Sequence, residues 1–267
     1  MLSAATHFSR LGECRLWRCA SGEAVGAIRT DDLSESAKNA FVILPIPAFD
    51  KNGVLNGCAN VTADDLFRHL PCGSVIFGGK ISALVSRLAA EHGHKIYDYG
   101  ERDDFNLFNA VPTAEAALLI ASEHLNSTVN GSDFVITGYG RIGKALARRL
   151  RLLGGNVTVA ARSDSAVAGA VCDGNRAVRL SDLSSELCET DVCFNTVPYK
   201  IFSPSIIREW KCKWFMELAS LPGGFSEDAI SFLGDRYISA LSLPGRYFPI
   251  TAGEIIYKTV YTMICTL

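Results

Sequence analysis

The sequence predicts an α/β fold in two domains, and three observations carry that reading. The chain has 267 residues, enough for two domains of ordinary size or one large α/β domain. Short β-branched runs alternate with amphipathic helical stretches, with no fixed-period repeat. A glycine-rich turn sits between an apolar strand and a helix in the middle of the chain.

Composition narrows the class. Lys plus Arg is 26 against 28 Asp plus Glu, a net charge of -2, so no basic field exists to hold nucleic acid or an anionic membrane. Hydrophobic residues make up 48% and charged residues 20%, which excludes a disordered chain. The apolar stretch Phe41 to Phe49 is broken by Pro45 and Pro47 and is too short to span a bilayer. Met1 to Trp17 carries His7, Arg10, Glu13 and Arg15 without an apolar block, so the expectation is a cytoplasmic protein with no secretory signal. The 9 cysteines contain no C-x-x-C pair, the nearest spacings being Cys14 to Cys19 and Cys188 to Cys193, and are read as free, mostly buried thiols. No histidine spacing suits zinc. His92 and His94 flank Gly93 at a helix end, which reads as a turn, and no metal site is expected.

The elements follow in order. Arg15 to Cys19, Phe41 to Ile46, Ser74 to Phe77 and Lys95 to Tyr97 read as strands, and Ala63 to His69 and Ser82 to Glu91 as helices, punctuated by Pro71 and Gly93. Pro112 and Thr113 open a helix through His124. After the polar turn Asn126 to Ser132, Phe134 to Thr137 reads as a central parallel strand. Gly138-Tyr139-Gly140-Arg141-Ile142-Gly143 then spells G-x-G-x-x-G. Ile142, Leu146, Leu150 and Leu153 form an apolar stripe on the following helix, which Gly154 and Gly155 end, and Val157 to Ala161 is the next strand.

Strand, glycine turn, helix, strand is the context a Rossmann-like dinucleotide fold requires. Gly138 permits the tight turn, Gly140 lets the backbone approach a pyrophosphate, and Gly143 allows close packing of helix on sheet. The helix N-terminus, with Arg141 and Ile142 in its first turn, supplies the anion site. At the end of the second strand an acid would select NAD; Arg162 and Ser163 stand there, suiting a 2′-phosphate, so NADP(H) is favoured. Asp164 keeps NAD as the alternative.

Asp191 to Pro198 reads as a strand followed by a polar, proline-ended loop, and further strands are expected at Phe215 to Leu218 and Tyr237 to Leu241. The loops after them hold Asn195-Thr196-Val197-Pro198, Ala219-Ser220-Leu221-Pro222-Gly223-Gly224 and Leu243-Pro244-Gly245. Asn195, Thr196 and Pro198 are assigned to the cofactor edge because ligands sit at strand C-termini. A last helix starts at Thr251 and turns Ile255, Ile256, Val260, Met263 and Ile264 toward the first domain. The domain assignment is 1–112 for an N-terminal α/β domain on the substrate side, 113–252 for the Rossmann-like domain and 253–267 for the returning helix.

Several of these runs resemble the A-subunit family of dipicolinate synthase. They are Glu101-Arg102-Asp103-Asp104 with Asn109, Pro112, Thr113 and Glu115; the glycine turn with Ala161-Arg162-Ser163; Asn195 to Pro198; Ala219-Ser220 with Pro222-Gly223-Gly224; and Leu243-Pro244-Gly245 with Thr251-Ala252-Gly253. The resemblance covers roughly Val42 to the C-terminus. It implies NADP-linked oxidation of dihydrodipicolinate to dipicolinate in the mother-cell cytoplasm of a spore-former, alongside a flavoprotein B subunit through which any flavin would act. Family members begin with an apolar strand and a glycine loop, and this chain is expected to start after both.

Aromatising a dihydropyridine dicarboxylate removes a hydride and a proton, so the site needs an acceptor, a base and anion-binding groups. Arg102 is the first candidate for a substrate carboxylate, with Arg246 a weaker one, and Asn109, Thr113 and Ser220 supply neutral hydrogen bonds. Glu101, Asp103 and Asp104 are the candidate bases, because like-charge crowding raises one carboxyl pKa. Read without the resemblance, the same run is a helix N-terminus with Arg102 in an ion pair. Glu115 reads as a cap residue. The substrate site is expected in a cleft between the domains. The alternatives are a 2-hydroxyacid or amino-acid dehydrogenase, against which stands the absence of any histidine after His124, and a non-catalytic nucleotide-binding relative. A homo-oligomer is compatible with all three.

Overall fold

The computed structural model describes residues 1–17, 24–30, 32, 41–58, 60–183 and 189–267. They form two compact units, one of 1–109 with 248–267 and one of 110–247.

In the first unit, β1 (Arg15–Trp17) pairs in parallel with β2 (Ile28–Thr30), and β3 (Phe41–Ile43), β4 (Val75–Gly78) and β5 (Lys95–Asp98) make a parallel sheet in that order. β3 is shorter than the sequence suggests, ending before the two prolines that cannot donate to a ladder. Arg18 and Cys19, assigned to the first strand, lie outside the described residues. The helix Ala63–His69 starts on a capping box: Thr62 Oγ1 accepts from Asp65 N at 3.1 Å, and the Asp65 carboxylate accepts from Thr62 N at 3.1 Å. The last helix, Pro249–Ile264, begins two residues before Thr251. Its Ile255, Ile256, Val260 and Met263 pack with Ala4, Phe77, Tyr99 and Phe105 into one core. Ala4 comes from Leu2–Phe8, a helix that the sequence pattern does not announce.

The second unit carries six parallel strands, β6 (Asp133–Thr137), β7 (Asn156–Ala161), β8 (Arg176–Arg179), β9 (Glu189–Asn195), β10 (Lys211–Glu217) and β11 (Tyr237–Ser239). Their spatial order is β11-β10-β9-β6-β7-β8, the dinucleotide-binding arrangement in which strand order reverses between β6 and β9. Phe134, Val135, Ile136, Val192, Cys193, Phe194, Phe215 and Met216 are buried, as strands covered on both faces demand.

The structure corrects several expectations. The helix expected at Thr113 runs from Asp103 to His124 with Pro112 inside it. Proline removes one helical hydrogen bond, but the buried Ala114, Ala116, Ala117, Ile120 and Ala121 hold the helix through it. Glu115 is therefore no cap; it accepts from Arg149 Nε at 3.1 Å and Nη2 at 2.9 Å. Leu153 leaves the apolar stripe because the helix Arg141–Leu152 ends one residue earlier. Leu243–Tyr247 is a short helix rather than a loop. Finally, only Cys193 and Cys212 are buried among the described cysteines, all free. Cys72, Cys172 and Cys265 are exposed, the last two at helix C-termini where the chain meets water. Cys188 lies outside the described residues.

Candidate functional site

The strand order reverses between β6 and β9, and the C-terminal ends of strands at such a switch point are where α/β sheets hold a ligand. Gly138 turns there with φ +89°, and a Cβ on it would sit 2.6 Å from Thr196 Oγ1, so only glycine fits beside the Thr196 loop. A Cβ on Gly143 would fall on the Gly138 carbonyl oxygen, which keeps this helix close to the turn. Gly140 differs: a Cβ there meets nothing within 4 Å. It is the N-cap of the helix Arg141–Leu152, and no side chain caps that end. A helix N-terminus facing open space behind a residue without a side chain is what a pyrophosphate requires. Arg141 is exposed and Ile142 half-buried.

Tyr139, inside the motif, points the other way. It is buried, donating from its hydroxyl to Asp173 Oδ2 at 2.7 Å and accepting from Asn175 Nδ2 at 3.2 Å. Burial pushes its pKa up to about 12. It ties the glycine turn to the turn before β8.

β7 ends at Ala161, leaving Arg162 exposed with no ion-pair partner among the described residues. Ser163 N-caps the helix Asp164–Cys172, its Oγ accepting from Ala166 N at 3.3 Å. Asp164, the acid that would serve an NAD ribose, forms an ion pair with Arg179 at the end of β8. The residues present thus fit a dinucleotide, with the basic group at the ribose end turned to solvent.

The third strand end holds a residue absent from the sequence-based candidates. Glu217 is 4% exposed, the last residue of β10. Its Oε1 accepts from Asn195 Nδ2 at 2.7 Å and Ala219 N at 2.9 Å, and its Oε2 from Gly224 N at 2.6 Å. Burial raises its pKa, against the pull of those donors and of Lys200. Asn195, assigned to the cofactor edge, is also fully buried. Its Oδ1 accepts from Thr137 Oγ1 at 2.6 Å and Val197 N at 3.2 Å, so its amide braces the crevice from below. Thr196 Oγ1 donates to Thr137 O at 2.8 Å, while Pro198 and Ser220 are exposed on their loops. The one sequence signal for Glu217 is a lone carboxyl closing an apolar strand just before a proline-glycine loop.

In the first unit, Glu101 closes a single 3₁₀ turn, and Asp103 and Asp104 occupy the first turn of the helix Asp103–His124. Arg102 forks Asp104, with Nε at 2.9 Å and Nη2 at 2.7 Å. The fork lowers the Asp104 pKa and raises that of Arg102, so crowding does not lift Asp104 toward neutrality as expected; its bound cation dominates. Asn106 Nδ2 donates to the carbonyls of Gly100 and Arg102, both at 2.8 Å, fixing this corner. Asn109 is half-buried; in the second unit Thr113 is buried and Arg246 exposed.

Comparison with known proteins agrees with this geometry. Residues 114–213 match the family described as D-isomer specific 2-hydroxyacid dehydrogenase, NAD binding domain, which places a nicotinamide dinucleotide domain where the glycine turn lies. The solved structure of the A subunit of dipicolinate synthase from Bacillus halodurans superposes with a TM-score of 0.86 at 24% identity, covering 98% of this chain and 93% of that one. The corresponding dipicolinate synthase structure from Bacillus subtilis superposes with a TM-score of 0.83 at 27% identity, covering 99% and 92%. In sequence, the chain is 30% identical over 231 residues to the A subunit of dipicolinate synthase of Bacillus subtilis strain 168, covering 85% of this chain and 78% of that protein. On that extent of likeness, carried over both units, the chain belongs to the A-subunit family of dipicolinate synthase.

Proposed function

We propose that this protein oxidises dihydrodipicolinate to dipicolinate with NADP⁺, as the A subunit of a dipicolinate synthase. The observation that carries the cofactor choice is the exposed Arg162 at the end of β7 beside an Asp164 already held by Arg179. A guanidinium suits a 2′-phosphate, and the acid that would bind an NAD ribose has a partner. The substrate comes from the family to which the chain belongs.

The nicotinamide ring, when bound, supplies the hydride acceptor. The chain's own residues do the rest. Gly138 makes the turn, its own N–H being donated to Ala160 O, and the first-turn N–H groups at Arg141, Ile142 and Gly143, left open by Gly140, would hold the pyrophosphate, with Arg162 and Ser163 at the 2′-phosphate. Thr196 and Pro198 line the edge. Arg102 binds one substrate carboxylate, exchanging part of its fork with Asp104. Glu101 or Asp103 accepts the proton released from the ring carbon next to the one that loses hydride. In cells the protein works with a flavoprotein B subunit in the mother-cell cytoplasm of a spore-former. The unit of 1–109 with 248–267 acts on the substrate side and the unit of 110–247 on the cofactor side.

A second reading, a 2-hydroxyacid dehydrogenase, draws on the match over residues 114–213. It lacks the histidine that chemistry uses, since none follows His124. The test is direct: mix the protein with dihydrodipicolinate generated in situ and NADP⁺, with and without a B subunit, and follow dipicolinate absorbance. Formation that requires this chain and NADP⁺ supports the reading; turnover of a 2-hydroxyacid in its place overturns it.

A further inference from the structure

Thr137, Asn195 and Glu217 are paired in register across three adjacent strands, as the last rung of the sheet before the crevice. Their side chains join in one row, Thr137 Oγ1 to Asn195 Oδ1 at 2.6 Å and Asn195 Nδ2 to Glu217 Oε1 at 2.7 Å. Both carboxylate oxygens of Glu217 reach forward into the loop that follows its own strand, at Ala219 N and Gly224 N. That loop is fastened again from its outer side, where Lys200 Nζ donates to Pro222 O and Phe225 O at 2.5 Å each. Ile201 N and Phe202 N donate to Gly224 O at 2.8 and 2.9 Å. The loops after β9 and β10 are therefore one braced body. A buried charge needs all its acceptors filled, and a hydrophobic residue would fill this space at less cost, so stability alone does not account for the carboxyl. A row of polar side chains that fixes loops at a ligand edge does.

We propose that Glu217 is a positioning residue that sets these two loops, through Asn195 and the amides of Ala219 and Gly224, for the nicotinamide end of the cofactor. The inference rests on the reading that this crevice holds NADP(H). It concerns the nicotinamide end, because the hydrogen bonds of Glu217 run to Asn195, Ala219 and Gly224 and not to the glycine turn or Arg162.

In Glu217→Gln an amide NH₂ replaces one carboxylate oxygen and faces a backbone or side-chain donor, so one brace fails while the volume stays. Calorimetry of the full chain with NADPH and with 2′-phospho-ADP-ribose, which lacks the nicotinamide, separates the two ends. The variant is expected to bind NADPH about tenfold more weakly, as for a lost charge-assisted brace, and the fragment as the native protein does. Glu217→Asp, which keeps the charge, is expected to recover part of the NADPH loss and guards against a folding failure in the amide variant. Equal weakening of both ligands, or of neither, overturns the proposal. Because no substrate enters this experiment, its outcome is separate from whether dihydrodipicolinate is turned over.

Discussion

Asn195 Nδ2 stands 2.7 Å from Glu217 Oε1, on neighbouring strands where the two residues are in-register partners. The pair marks where the sheet changes from an apolar interior to a ligand edge: Phe194 and Met216 directly before them are fully buried. Both side chains spend their hydrogen-bonding capacity inside the protein, which makes them supports for the exposed loop residues beyond.

The buried carboxyl of Glu217 makes stability depend on pH. Its pKa is raised above the ordinary 4.5 by burial, so over that interval the folded state keeps a proton that the unfolded chain has released. Its contribution is full below the ordinary value and is lost as pH rises through the raised one. Thermal melting of the native protein across this range should show the loss, and Glu217→Gln, which cannot titrate, should show a flatter profile. Parallel profiles would contradict the assignment.

The glycines of the turn respond differently to substitution. A Cβ at position 140 meets nothing within 4 Å and the backbone lies at φ -83°, so Gly140→Val should fold, shown by unchanged far-UV CD, yet lose dinucleotide binding because the side chain takes the pyrophosphate's place. Gly143→Ala meets the Gly138 carbonyl and should cost about 1–3 kcal/mol of stability, read from denaturant melts.

Arg162→Ala should remove most of the preference for NADPH over NADH, about 1 to 3 kcal/mol for a charged hydrogen bond, and leave NADH affinity close to native. Titration of both cofactors against both proteins decides it; equal native affinities would contradict the NADP(H) choice.

Legibility follows the periodicity of the signal. The glycine turn, its two strands and its helix are readable because an apolar run, three glycines and an amphipathic stripe agree on one local structure. Strand order adds what no local pattern holds: the partner of Glu217, Asn195, is 22 positions away in the chain and reached only across the sheet. Pro112 is a local stop signal that shortens the helix Asp103–His124 on sequence grounds, and burial of its alanine face overrides it. Arg102 stands out by residue type, while its fork with Asp104 depends on the geometry of the helix start.

The fork sets what a change at Arg102 does. Arg102→Lys should weaken dipicolinate binding several-fold and leave NADPH binding unchanged, because an ammonium cannot hold a carboxylate in two places. Asp104→Asn, which loosens the fork, should not weaken dipicolinate binding. Calorimetry on the two ligands reads both, and an unchanged dipicolinate affinity in Arg102→Lys would confine Arg102 to its ion pair.

The proposed function turns on whether hydride leaves the dihydropyridine ring for NADP⁺ at this chain's crevice. Dihydrodipicolinate carrying deuterium on the ring carbon that loses hydride is converted by the protein with NADP⁺, and the reduced cofactor is recovered and weighed by mass spectrometry. Deuterium-labelled NADPH is expected in amounts equal to the dipicolinate formed, and none when Gly140→Val replaces the native protein. Dipicolinate formed with unlabelled or absent NADPH would contradict hydride transfer to NADP⁺.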